Sequence, residues 1–345
     1  MKTTDSDTTP ASTSDTGPQR IGIVGSGAIG GHFAARLARA DHVVSMLARG
    51  RTLEAIRQHG LRYATTGEEY SVAVQASETA EELGPQDLIV IALKGQALPE
   101  VAPLLSPLIA PKSTILTVGN GLPWWYFLAN GQPLDGLRLR SVDPTGSIEK
   151  ALPLSQLLGG SVFASCQCPA PGVVQHSAGA RVVLGEPGGG LSPRASAWAR
   201  LLADAGLGGE VSADIRQDLW LKLLGNACFN PVSLMTQSST DRLLADPNLQ
   251  RLFIRLMDEC IALGQRLGLA LKIDPMQRIE QTRKLGAIKT SMLQDLEAGR
   301  SVELDAILGT IVECATAIHH PVPQIDSLYA LARMRARNAG LYTSP

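Results

Sequence analysis

The sequence is short of several things, and each shortage closes off a class of function. Cysteine is scarce, with five in 345 residues, at positions 166, 168, 228, 260 and 314. An odd number with no C-x-x-C pair does not make a disulfide framework, and no histidine stands at metal-ligand spacing from them, so neither a disulfide scaffold nor a metal centre is expected. A reducing cytoplasm is the expected location. The net charge is only −1, which supplies no field to gather nucleic acid or acidic lipid. No run reaches the roughly 18 to 20 uninterrupted apolar residues of a membrane helix. The expected partner is therefore a small molecule, and the sequence argues against nucleic acid and membrane.

At this length a single core is unexpected, and two domains are the default. The first 19 residues are Thr, Ser, Asp and Pro with hardly an apolar side chain. They lack the hydrophobic region of a signal peptide and cannot bury a face, so residues 1–19 read as a disordered tail. From Arg20 the pattern changes to a short apolar run ending at Gly25, then helix formers over 28–40, then a second β-branched run, HVVSMLA, over 42–48. Further runs, DLIVIAL at 87–93 and TILTV at 114–118, continue the alternation. That repetition predicts an α/β fold with a doubly wound, Rossmann-type sheet. Prolines at 99, 103, 107 and 111 allow only short or kinked helix between 98 and 112. GVVQHSAGARVVLG at 172–185 reads as a β-hairpin turning at Ser177, Ala178 and Gly179 and extending the sheet edge. Residues 196–205 look helical and 208–212 suit a last strand. Beyond Ala213 the strand signal gives way to Leu, Ala, Arg and Glu. The expected division is a Rossmann domain over 20–212 and an all-helical domain over 213–340.

GSGAIGG, at 25–31, carries G-x-G-x-x-G directly after a predicted strand and at the start of a predicted helix. Gly25 makes the tight turn, Gly27 lets the backbone approach a pyrophosphate, and Gly30 lets helix and strand pack closely. Residues Gly25, Ser26, Gly27, Ala28, Ile29 and Gly30 are thus the candidate dinucleotide loop. An NAD-preferring site carries Asp or Glu at the end of the second strand; here Arg49 stands there, with Arg51 beyond it. A guanidinium pairs bidentately with a 2′-phosphate, which points to NADPH and NADP. Lys94 and Asn120 follow two later strands, outside their carboxyl ends, where such sheets bind ligands.

The most informative stretch is DLWLKLLGNACFNPVSLM at 218–235. Lys222, Asn226 and Asn230 are four apart, so on a helix they form one polar line, drifting about 40° per step, in an apolar segment. Pro231 removes an N–H from the ladder and frees the carbonyl of Ala227. Beside a nicotinamide the chemistry follows: a hydride reaching a ketone leaves an alkoxide, and an ammonium against that oxygen stabilises it and donates the proton. A second cluster, TSMLQDLEAGRSVELDAILG at 290–309, opens a helix at Ser291, whose hydroxyl could hold a carboxylate or merely cap the helix. Its acids Asp295, Glu297, Glu303 and Asp305 come without His or Cys and suit solvated helix faces better than a metal; of Glu303 and Asp305, which precede an apolar run, one is expected to turn inward.

These motifs together, GSGAIGG, the Lys of LKGQ, Asn120–Gly121, LWLKLLGNACFNP and SMLQDLEAGRSVELDAI, resemble the ketopantoate reductases (2-dehydropantoate 2-reductases) in order and over nearly all of residues 20–335. The resemblance implies NADPH-dependent reduction of 2-dehydropantoate to (R)-pantoate, in pantothenate and coenzyme A biosynthesis. It also implies a C-terminal domain of the 6-phosphogluconate dehydrogenase type. It makes Lys222 the general acid, Asn226 and Asn230 substrate contacts, and Ser291 the carboxylate contact. By the same resemblance Glu303 is expected to be the acid near the nicotinamide ribose, Lys94 and Asn120 to touch NADPH, Asn120 also to near the substrate, and Arg49 to hold the 2′-phosphate. Three features depart from well-known members. Ile288 replaces an Asn three residues before the serine, the 238–240 region replaces another Asn, and Trp124, Trp125, Tyr126 and Phe127 form an unfamiliar block. That block is either local core or oligomer contact, or a pocket wall that alters substrate choice. The departures keep open a reductase of another 2-keto acid or small carboxylate. An NADPH sensor without turnover is a further reading, but it would leave the Lys-Asn-Asn line unexplained. A homodimer is the ordinary expectation for a soluble enzyme.

Overall fold

A computed structural model describes residues 17–342 apart from 129, 130 and 132. The tail expected over 1–19 lies, up to residue 16, outside the described residues. One mixed sheet runs through the first part of the chain. Its strands are β1 (Arg20–Val24), β2 (Val43–Leu47), β3 (Leu61–Ala64), β4 (Glu69–Val72), β5 (Gln75–Ser77), β6 (Gln86–Ile91), β7 (Ile109–Thr117), β8 (Leu157–Ala170), β9 (Val173–Gly185) and β10 (Gly209–Val211).

Within it, β5-β2-β1-β6-β7-β8 is parallel throughout. The chain builds outward from β1 to one side, then crosses to the other, so the order reverses between β1 and β6. The crevice outside the carboxyl ends of those two strands is the ligand site of a doubly wound sheet. Burial on both faces explains the apolar runs. In β6, Leu88 and Val90 point into one core, while Ile89 and Ile91 point into the other.

Helices α1 (Ala28–Arg39), α2 (Gly50–His59), α3 (Ala80–Leu83), α4 (Leu98–Val101), α5 (Ser147–Ala151) and α6 (Pro193–Asp204) accompany the sheet. The proline-rich stretch gives only the four residues of α4 and two short 3-10 turns, as ring constraints on φ require.

The hairpin expected within 172–185 is instead a single strand, β9, and its antiparallel partner is β8. Ser177, Ala178 and Gly179 form a bulge: the pairing slips from Phe163 with Arg181 to Ser165 with Ala178, and Gly179 has φ +71°. A Cβ on Gly179 would stand 2.4 Å from the carbonyl oxygen of Phe163. Nor is β9 an edge, since it lies between β8 and β3. Residues 157–170 hide their strand behind Gly, Ser, Cys and Gln, which carry little β-propensity. The short β3, β4 and β5 were equally inconspicuous in the sequence.

After Val211 the chain is helical: α7 (Ile215–Thr236), α8 (Thr240–Ala245), α9 (Pro247–Arg266), α10 (Pro275–Arg283), α11 (Ser291–Glu297), α12 (Thr310–Ala317) and α13 (Pro323–Asn338), with a π-helical turn over Asp305–Gly309. Helix α7 starts where the Asp214 carboxylate accepts the amide of Gln217, at 3.2 Å. It is packed by β8, α9, α11 and α13, so most of its side chains are buried. The aromatic block wedges between α7 and the sheet. Trp125 Nε1 donates to Thr117 Oγ1 at 3.0 Å, and the Tyr126 hydroxyl donates to the carbonyl of Arg216 at 2.9 Å. All four aromatics are buried, so the block is core.

Candidate active site

The glycine loop divides its work as the motif demands. Gly25 ends β1 at φ +110°, and a Cβ there would lie 2.8 Å from the Ala92 carbonyl oxygen. A Cβ on Gly30 would meet the Gly25 carbonyl oxygen at 1.9 Å, so strand and helix could not approach as they do. At Gly27 a Cβ would have nothing within 4 Å; that face is open to a ligand. Gly27 caps α1 without a side chain, so the first-turn amides from Ala28 to Gly30 have no acceptor among the described residues and are free to meet an anion. The pairing of Val24 with Leu47 sets Arg49 just past β2, beside this turn. Its guanidinium is exposed and has no hydrogen bond or ion pair among the described residues. Open glycine, free amides and an uncommitted guanidinium beside them leave room for a dinucleotide.

Lys222 rises from α7 toward the crevice, with Nζ 5.9 Å from the centroid of the Phe163 ring. Burial lowers its pKa to about 8, against the upward pull of the Glu303 carboxylate. Glu303 is the acid that turns inward. Its Oε2 accepts from Asn120 Nδ2 at 3.1 Å and its Oε1 from the Gly95 amide at 3.2 Å. Burial raises its pKa, while these two donors and Lys94 pull it down. Two turns beyond Lys222, the buried Asn230 donates from Nδ2 to Ser291 Oγ at 3.4 Å. Asn226 lies between them on the same helical line, half-buried. Ser291 does not cap α11; Thr290 does, its Oγ1 accepting the Leu293 amide at 3.3 Å. That leaves the Ser291 hydroxyl available to a ligand.

Lys94 reaches the crevice mouth but is already engaged. Its ammonium lies 2.7 Å from Asp295 Oδ2 and donates to the Ser301 carbonyl at 2.7 Å, tying the end of β6 to the helical part. The remaining acids also take separate partners: Asp295 pairs with Arg300 as well, Glu297 with Lys289, and Asp305 with the hydroxyls of Tyr329 and Tyr342. They do not converge on one another.

Two features escaped the sequence because they belong to β8 and to contacts between distant segments. Phe163 stands on the crevice face of β8, 36% exposed beside the Lys222 ammonium, and Gln167 on the same arm donates to Gln294 of α11 at 3.4 Å. With β8 itself concealed, only an unexplained exposed aromatic could have signalled this wall. Second, Ile288 and the 238–240 region, the two departures near the serine, meet through Thr240: the Thr240 amide donates to the Ile288 carbonyl at 2.9 Å, and the Ile288 amide to Thr240 Oγ1 at 3.0 Å. Ile288 is 41% exposed. Below Asn120 lies an apolar cavity of about 50 Å³ lined by Leu93, Thr117, Trp124 and Trp125 among others, so part of the aromatic core is also a wall.

A doubly wound sheet with a glycine-rich turn at its switch point, facing a helical part that offers the half-buried Lys222 ammonium, is the frame of a pyridine-nucleotide-dependent oxidoreductase. The chain belongs to the ketopantoate reductase family: the model "Ketopantoate reductase PanE/ApbA" matches residues 21–189 and its C-terminal counterpart matches 214–336. A 2-dehydropantoate 2-reductase of Mesorhizobium japonicum is 41% identical over 94% of this chain and 100% of its own. Among solved structures, a candidate ketopantoate reductase from Ralstonia solanacearum is 42% identical with TM-score 0.91, covering 94% of this chain and 100% of that one. The 2-dehydropantoate 2-reductase of Geobacter metallireducens is 28% identical with TM-score 0.81, over 91% and 99%.

Proposed function

We propose that the protein reduces 2-dehydropantoate to (R)-pantoate with NADPH, as a step toward pantothenate and coenzyme A. Residues 20–212 would hold the nucleotide and 213–340 the substrate and catalytic groups. NADPH, bound along Gly25, Ser26, Gly27, Ala28, Ile29 and Gly30 with its 2′-phosphate on Arg49, supplies the hydride to the keto carbon. Lys222 donates the proton to the carbonyl oxygen, where an ammonium with a pKa of about 8 is a competent acid near neutrality. Ser291 and Asn230 hold the substrate carboxylate, Asn226 orients the carbonyl or hydroxyl, and Glu303 positions Asn120 and favours the charged form of Lys222. Lys94 closes the crevice over the nucleotide. The reading includes a cytoplasmic homodimer; no described helix is long and apolar enough to cross a membrane.

The observation that carries the proposal is the half-buried Lys222 ammonium, its pKa lowered to about 8, together with two polar pairs, Asn120 with Glu303 and Asn230 with Ser291. The test is NADPH oxidation by the purified protein with ketopantoate and a panel of 2-keto acids. Turnover of none of them defeats the enzymatic reading. The neighbouring Ile288 and Thr240 favour a second reading, a different 2-keto acid or small carboxylate. A keto acid with higher kcat/KM than ketopantoate would establish it.

A further inference from the structure

On the face of β8 and β9 turned away from the crevice, the fold gathers three side chains that are far apart in sequence. His32 on α1, Cys166 on β8 and His176 on β9 each place one donor atom within 4.8 Å of the other two. Cys166 and His176 are direct cross-strand partners. His32 is 1% exposed, and its ring leaves Nε2 buried with no hydrogen-bond partner among the described residues. An orphaned buried nitrogen of this kind asks for an explanation.

The hydrogen bonds say which nitrogens are open to a cation. His176 Nε2 lies 2.5 Å from the Gly179 carbonyl oxygen. A carbonyl only accepts, so Nε2 carries the proton and Nδ1 carries the lone pair. His32 Nδ1 lies 2.8 Å from the Tyr63 hydroxyl. With that nitrogen donating, Nε2 presents its lone pair. Both imidazoles thus have the outer partner that fixes tautomer in metal-binding histidines. We propose that His32, Cys166 and His176 form a binding site for a borderline transition-metal cation of the Zn²⁺ class, with the fourth position open to water. Two imidazoles and a thiolate suit that class, and binding converts the Cys166 thiol to thiolate with release of its proton.

The two rings stack, with centroids 4.7 Å apart and planes at 17°. A cation bound by both must lie near each ring plane, so ligation turns one ring out of the stack. His176 is half-buried and can move; His32 is enclosed. The site would clamp α1, which presents the glycine loop, to the β8–β9 arm that carries Phe163 and Gln167.

Chelator-treated full-length protein titrated with Zn²⁺ by calorimetry, and with Co²⁺ by absorbance, tests this. Expected are saturable binding of a single equivalent, a thiolate-to-cobalt charge-transfer band, and a Tm that rises with Zn²⁺. Losing a mere outer partner costs a metal site about 10- to 100-fold, so Cys166→Ser and His176→Ala should each weaken binding by at least tenfold. Cys166→Ser should abolish the band. Cys166→Ser keeps the side-chain shape, so it remains informative if His176→Ala fails to fold. No saturable binding by the unaltered protein, or binding and band unchanged in Cys166→Ser, overturns the proposal.

Discussion

The two halves of the candidate site are built on opposite principles. The nucleotide half is made of backbone: three glycines and free amides within six consecutive residues, with Arg49 set beside them by strand register. The proton-donor half is made of side chains from residues 120, 163, 222, 230, 291 and 303, and its chemistry depends on how deeply they are enclosed. The first half should therefore fail through steric intrusion or lost phosphate contact, and the second through loss of a charge or of its enclosure.

The largest expected effect separates them most cleanly. Lys222→Ala should lower kcat by about 10² to 10⁴-fold while leaving the NADPH dissociation constant nearly unchanged by fluorescence titration. An unchanged kcat would remove Lys222 from the role of acid. Arg49→Ala should do the reverse. Losing a charge-assisted bidentate contact should raise KM for NADPH by about 10- to 100-fold, with kcat and KM for NADH little altered. Equal loss with both nucleotides would show that Arg49 does not read the 2′-phosphate.

The pH profile probes the second half alone. Burial holds Lys222 at about 8, so it is charged below that pH and neutral above. Reduction needs the charged form, so kcat for the keto acid should be flat near neutrality and fall about tenfold per unit above pH 8. The reverse oxidation needs the neutral amine and should rise through the same range. A reduction limb lying near the ordinary lysine value would show that Lys222 is more hydrated than its setting indicates.

The same contrast explains what was legible in the sequence. G-x-G-x-x-G is local, its spacing is dictated by one turn, and the structure gives each glycine the place its motif requires. The Lys222, Asn226, Asn230 line was legible because helical periodicity is also local. That Glu303 rather than Asp305 turns inward, or that Thr290 rather than Ser291 caps α11, depends on contacts with Asn120 and on backbone dihedrals one residue apart. The strand β8 is not legible because its composition is weak and its partner β9 carries a bulge that resembles a turn. The same weakness conceals both Phe163 on one face and Cys166 on the other. Lys94 was legible as a residue of the crevice mouth, but its tie to Asp295 joins segments about 200 residues apart and no local pattern encodes it.

Phe163→Ala is the smallest change expected and the sharpest on how the second half works. The ring acts on Lys222 in two opposing ways. As a cation–π partner 5.9 Å from Nζ it favours the ammonium, worth about 0.5 to 1 kcal/mol at a partly exposed site, or less than about one pKa unit. As an apolar wall it keeps water from the ammonium, and burial is the leading cause that holds Lys222 down at about 8. The ring is itself 36% exposed, so the cation–π part is weak, and removing the wall should dominate. The descending limb should therefore move upward by about half a unit to one unit, with kcat at pH 7 changed by less than about tenfold, while Phe163→Leu keeps the limb near 8 by preserving apolar bulk. A downward shift in Phe163→Ala would instead make the aromatic face, rather than its bulk, the feature that matters to the proposed acid.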